Sequence, residues 1–223
     1  MDYLFILIAI LVTAGAQVYI SSSYSKYKKI TAKKNISGFE VARAILDKHG
    51  LEKVYITEIS GTMTDLYDSS RKVVKLSNEV FHGNSIASLA VAAHECGHAI
   101  QDKENYGFLR IRERLIPLVS FSSVGGYIAI LVGIFFSLTK LLWIGIGLEI
   151  VILIFQLVTL PVEFDASERA KKELIDNGFI NNKELEGCSN MLKAAAFTYV
   201  ASLISGILEI GRFIYIFGGN DRD

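Results

Sequence analysis

Two stretches without a single charge, residues 3–25 and 115–139, limit what this chain can fold into. Each exceeds the ~20 residues that an α-helix needs to cross the hydrocarbon of a bilayer. Two more come close: Leu141–Val162 carries only Glu149, and Ala194–Phe217 carries only Glu209 and Arg212. With 51% hydrophobic residues over 223 positions and a mean hydropathy of +0.38, the chain is too apolar for a soluble domain of its size. The expected fold is a mainly α membrane protein with four transmembrane helices, at about residues 3–20, 116–138, 141–160 and 196–217. Residues 1–223 are expected to form a single integral-membrane domain, with soluble parts at about 21–115 and 161–195.

The first span could also be read as a signal peptide, because Ala14-Gly15-Ala16 looks like a small-x-small cleavage site. Its n-region offers Asp2 and no lysine, which favours an uncleaved anchor. Lys26, Lys28, Lys29, Lys33 and Lys34 follow this span, and Lys103, Arg110, Arg112 and Arg114 precede the second. The positive-inside rule makes both flanks cytoplasmic and leaves the N-terminus outside, in a multi-pass plasma-membrane protein. A basic run can also mark a nucleic-acid surface. Juxtamembrane placement and a formal net charge of zero argue against that, and no nucleic-acid partner is expected.

The soluble part contains His94-Glu95-Cys96-Gly97-His98. On a helix, two imidazoles four apart project from one face, close enough to share a tetrahedral Zn²⁺. A carboxylate directly after the first histidine can take a proton from water activated by the metal and pass it to a leaving amine. This H-E-x-x-H pattern reads as a zinc metallopeptidase site, with His94 and His98 as metal ligands and Glu95 as the catalytic acid–base. Asn84 and Ser85 are N-cap residues, and the small, apolar run Ile86–Ala93 predicts a largely buried helix to about Gln101. A helix with a polar solvent face could carry the same letters, but the preceding turns offer almost no polar face to extend.

The expected topology restricts the remaining ligand. Spans two and three form a hairpin turning near Thr139-Lys140, so the chain returns to the side of His94 and His98 at about Pro161. A third ligand downstream must lie just beyond, where Glu163 is foremost among few candidates. The metzincin pattern fails, because Glu104 stands where its third histidine would fall and Gln101 replaces its glycine. His49, before Gly50 at a helix C-terminus, and His82, before Gly83 in a turn, are expected to be structural.

Ser77, the run Val91–Gln101 and the run Leu160–Ser167 resemble the bacterial membrane-bound neutral zinc metallopeptidase family, often called YugP-like or zinc peptidase 2. The likeness extends over most of the chain, including the number and placement of its hydrophobic segments. That family is distantly similar to the HtpX- and Ste24-type gluzincins, which take a glutamate ligand from an E-x-x-x-D motif. The resemblance implies Glu163 as third metal ligand, one Zn²⁺ per chain and a small cytoplasmic α+β zincin-like region. Ser167 stands where the motif's aspartate would fall, so Ser167 or Asp165 is left to take its hydrogen-bonding role. Relatives tend to show D-H-Y-D-P where this chain has Asp65-Leu66-Tyr67-Asp68-Ser69.

Around this site, Ser37 with Glu40 makes a capping box opening a helix to about His49. Residues 54–59 and 72–77 read as two strands joined as a short hairpin, with 72–77 the candidate edge for substrate strand addition. Cys96 points away from the metal, and both it and Cys188 are expected to remain free thiols. Within the spans, Glu149 calls for a partner, with Arg212 available as a structural ion pair or, alternatively, as part of a proton or substrate path. Tyr199, at the expected start of the last helix, reads as an interfacial residue or an oxyanion donor.

The function expected is a zinc-dependent membrane endopeptidase acting at the cytoplasmic membrane surface on peptides or proteins, including membrane proteins. The competing reading is a non-catalytic zinc-binding scaffold or adaptor. A closed structural site wants four protein ligands, and it has no use for Glu95. A metal or proton transporter would need ligands inside the bilayer, whereas both motifs lie at its edge.

Overall fold

The computed structural model describes residues 2–218, so the expectation of one domain over residues 1–223 reaches past the described residues at both ends. The chain runs α1 (Asp2–Tyr27), α2 (Gly38–Lys48), β1 (Tyr55–Ile59), β2 (Leu66–Asp68), β3 (Val73–Ser77) and α3 (Asn78–His82). It continues with α4 (Ile86–Lys103), α5 (Gly107–Phe135), α6 (Thr139–Asp176) and α7 (Asn182–Phe217). Two compact units divide it: Met1–Gln17, Arg110–Pro161 and Phe197–Asp223 form one, and Val18–Leu109 with Val162–Ala196 form the other.

The first unit holds the apolar lengths of α1, α5, α6 and α7. These four helices have apolar windows with mean hydropathies of 2.2, 2.0, 2.4 and 1.7, long enough to cross a membrane. Leu7, Leu11, Phe121, Val124, Ile128, Ile144 and Ile154 all face outward, as lipid-facing side chains do. Where α5 meets α6 the contact is made by small residues. A Cβ on Gly145 would lie 2.5 Å from Ile130 and 3.1 Å from the Gly126 carbonyl oxygen. Close backbone approach at glycine is how helices gain packing contact where lipid tails are as apolar as leucine. The connection, residues 136–138, turns through Ser137 at φ 55° and closes with Leu138 N–H donating to Gly133 O at 2.8 Å.

The long helices outrun the expected spans. α6 has 38 residues, about 57 Å at 1.5 Å per residue, and passes through Pro161 without ending. α7 begins at Asn182, well before residue 196, so Tyr199 lies within the helix and not at its start. Its first turns are polar, and an apolar-run reading sees only where hydrophobicity begins.

The second unit is built around α4. Val41, Ala42, Ile45 and Leu46 of α2, Val74 and Leu76 of β3, and Leu89, Ala92, Ala93 and Cys96 of α4 form a continuous buried core. The capping box opens α2 as expected: Ser37 Oγ accepts from Glu40 N–H at 3.2 Å, and Ser37 N–H donates to Glu40 Oε2 at 2.7 Å. Ser85 caps α4, accepting from Ser88 N–H at 3.1 Å.

The sheet departs from expectation. Its order is β1-β3-β2, with β1 parallel to β3 and β2 antiparallel to β3. Residues 54–59 and 72–77 therefore do not form a hairpin with each other; the hairpin is β2 with β3. β3 is the central strand, so residues 72–77 are not a free edge. The reason is β2: Tyr67 pairs with Val74, and its side-chain hydroxyl donates to the buried Asp102 on α4 at 2.6 Å, which holds this short strand in place.

Candidate metal centre

α4 presents His94 and His98 one turn apart, with ring centroids 4.8 Å apart at 83°. Glu163, on α6 and in the same unit, brings Oε2 to 3.3 Å from His94 Nε2 and 3.7 Å from His98 Nε2. Among the described residues these three form the group able to hold a metal ion, with ligand atoms all within 4.8 Å of one another. Tetrahedral ligands at about 2.0–2.1 Å from zinc stand about 3.3 Å apart, and the 3.3 and 3.7 Å contacts of Glu163 with the two imidazoles lie near that spacing, so the three residues can close around the ion. Two neutral imidazole nitrogens and a carboxylate also suit its borderline softness.

The helices can approach this closely because Gly97 carries no side chain. A Cβ there would lie 2.7 Å from the Ala166 carbonyl oxygen, a backbone atom that cannot swing aside. Gly97 thus sets the α4–α6 spacing from inside the motif itself.

Electrostatics separate the two glutamates. Burial works to raise the Glu163 carboxyl, but hydrogen bonds and charge from His94 and His98 outweigh it and hold the group well below the ordinary range. Glu95 goes the other way. Burial pushes it up to about 7, the carboxylates of Glu163 and Asp65 add to the rise, and His94 and the Tyr67 backbone N–H pull against it. A carboxyl poised near neutrality beside His94 can both accept and return a proton. The Tyr67 contact also places the β2 edge against Glu95.

The remaining imidazole nitrogens face different partners. Ser167 Oγ lies 3.3 Å from His94 Nδ1, while the Gln101 Oε1 amide oxygen lies 3.0 Å from His98 Nδ1. Ser167, expected to take over a hydrogen-bonding role, thus reaches His94. Asp165 reaches none of the three and instead accepts from Gln101 Nε2 at 2.8 Å and Arg169 Nε at 2.6 Å. Sequence reasoning passed over Gln101, although it stands three residues after His98 on the same helical face. Tyr67 was missed because a backbone N–H leaves no trace in residue type.

Other singled-out residues lie elsewhere. His49 caps α2, with Nε2 2.9 Å from Glu173 Oε1, and His82 Nε2 lies 3.1 Å from Glu58 Oε2. Cys96 Sγ faces the Ala42 carbonyl at 3.6 Å, away from the ligands, and both cysteines are free and buried. Burial pushes both thiols up, Cys188 to about 12. The expected Glu149–Arg212 ion pair does not form among the described residues. Glu149 lines a cavity of about 300 Å³ with Thr13, Gln156, Ser205 and Glu209, whereas Arg212 lines a different one and stacks over Phe213 at 4.8 Å. Glu209 borders both cavities.

The chain is 42% identical over 225 residues to "Putative membrane protease YugP" of Bacillus subtilis (strain 168), with each protein covered over its full length. No solved structure matches it. The family model described as "Putative neutral zinc metallopeptidase" matches residues 2–218. With four helices able to span a bilayer and a match that takes in every element described above, this chain belongs to the neutral zinc metallopeptidase family of membrane proteins.

Proposed function

We propose that this chain is a zinc-dependent membrane endopeptidase. The observation that carries the reading is the meeting of His94, His98 and Glu163 within 4.8 Å, with the buried Glu95 next to the first of them. His94, His98 and Glu163 hold one Zn²⁺ per chain. The ion, when bound, supplies Lewis acidity that lowers the pKa of a water molecule and polarises a peptide carbonyl. Glu95 takes the proton from that water and delivers it to the nitrogen of the departing amine. Its raised proton affinity suits it to hold the proton between the two events. The edge of β2, held against Glu95 through Tyr67, lines up the substrate backbone by strand addition.

By the positive-inside rule, the basic residues that flank the first two spans favour a cytoplasmic site with the N-terminus outside. Peptides and membrane proteins are the substrates that such a site meets. Three protein ligands suit a catalytic ion better than the closed four-ligand set of a structural one. Detergent-purified Glu95→Gln protein should retain stoichiometric zinc and lose casein hydrolysis by roughly 10²–10⁴-fold. Loss of zinc from that variant, or undiminished cleavage by it, refutes the assignment.

A further inference from the structure

Gln101 is completely buried, and a buried amide that lacks partners is costly. Its Nε2 carries two protons. One goes to the Val162 backbone carbonyl at 2.8 Å and the other to Asp165 Oδ2 at 2.8 Å. A backbone carbonyl can only accept, and Asp165 is paired with Arg169, which reaches on to Glu104 at the C-cap of α4 at 2.7 Å. The amide therefore has one orientation: turned over, it would set oxygen against oxygen at both contacts. In the allowed orientation Oε1 faces His98 Nδ1 at 3.0 Å. An amide oxygen accepts only, so the His98 proton must sit on Nδ1. That leaves the Nε2 lone pair directed at Glu163 and His94.

We infer that Gln101 is a positioning residue that locks His98 into the metal-binding tautomer and ties the two ligand-bearing helices together. The inference rests on the zinc reading of the site. One side chain touches a ligand on α4 and, on α6, the carbonyl of the residue directly before Glu163. His94 has no equivalent device. Its Nδ1 meets a serine hydroxyl at 3.3 Å, which can donate or accept and so specifies neither tautomer. Control of the site is asymmetric, strict at His98 and loose at His94.

The test uses full-length protein in detergent. Imidazole ¹⁵N shifts of the zinc-free wild type should show His98 protonated at Nδ1, and Gln101→Leu should show a tautomer mixture there and no change at His94. Zinc competition against a chromophoric chelator should give Gln101→Leu an affinity roughly 10–100-fold weaker. Glu173→Gln, which disturbs a buried cluster elsewhere in the unit, should lower stability and leave zinc affinity unchanged. Wild-type His98 protonated at Nε2, or Gln101→Leu with wild-type zinc affinity, overturns the inference. Failure of the wild type to bind zinc at all refutes the zinc reading instead, and the ¹⁵N tautomers still decide what Gln101 does.

Discussion

The two units place their polar atoms differently, although each keeps buried atoms without a hydrogen-bond partner, Arg43 Nε in the unit built on α4 among them. In the unit built on α4, Gln101, Asp102 and Glu163 are almost wholly inaccessible, and each meets hydrogen-bonding partners or opposite charge. In the apolar helices, Ser122 Oγ and Gln156 Oε1 are buried without a hydrogen-bond partner. Their helix positions are set instead by glycine contacts and by side chains turned toward lipid. Directional bonds fix atoms to within tenths of an ångström, which a metal site demands. Dispersion contacts between helices fix only their spacing, which a membrane anchor tolerates.

If that contrast holds, the largest effect should come from Glu163→Ala. It removes a ligand, so zinc affinity should fall by more than the roughly 10–100-fold typical of losing an outer hydrogen-bonding partner, as measured by metal content after chelator dialysis. Full zinc retention in that variant would remove α6 from the site.

Next comes Gly97→Ala. The added carbon would press on the Ala166 carbonyl, so the helices must part, at a cost of about 1–3 kcal/mol in stability with a parallel loss of zinc affinity. Chemical denaturation and zinc competition measure the two effects. A variant with unchanged affinity would show that ligand spacing is not set there.

A smaller effect concerns acid. Burial works to raise Glu173, but bonds from Lys48, His49 and Asn177 outweigh it and lower its pKa from 4.5. A carboxyl depressed in the folded state stabilises the protein at pH above its unfolded value, and the contribution is lost as pH falls through the folded one. Thermal midpoints should therefore decline below about pH 4.5, and less steeply in Glu173→Gln, whose midpoint at neutral pH should already be slightly lower. Identical pH slopes in the two proteins would discount this cluster.

The smallest effect should distinguish two glycines of α6. Gly147→Ala meets nothing within 4 Å and should leave the thermal midpoint in detergent unchanged, whereas Gly145→Ala would strike Ile130 and the Gly126 carbonyl and lower it. Equal behaviour of the two would mean that the α5–α6 contact is not glycine-dependent.

Much of this was legible because it is local. A helix presents positions four apart on one face, so His94 and His98 had to be neighbours once α4 formed, and Ser37 with Glu40 announces α2 without help from the rest of the chain. The strands were not legible in the same way. Leu66-Tyr67-Asp68 is short and flanked by aspartate, so it has no strand signature of its own, and missing it turned a parallel pair into an expected hairpin. Glu149 and Arg212 suggested an ion pair by charge alone, but the two side chains line different cavities.

The amino-acid sequence by itself determined the apolar spans, the zinc-type helix and the narrow window that holds Glu163, because hydropathy and helical periodicity act over a few turns. Only the tertiary structure decided that β2 guards Glu95, that Gly97 sets the helix spacing and that Gln101 faces His98. Each of those facts depends on which surfaces meet, and contacts between distant segments are chosen by packing and hydrogen-bond geometry in three dimensions.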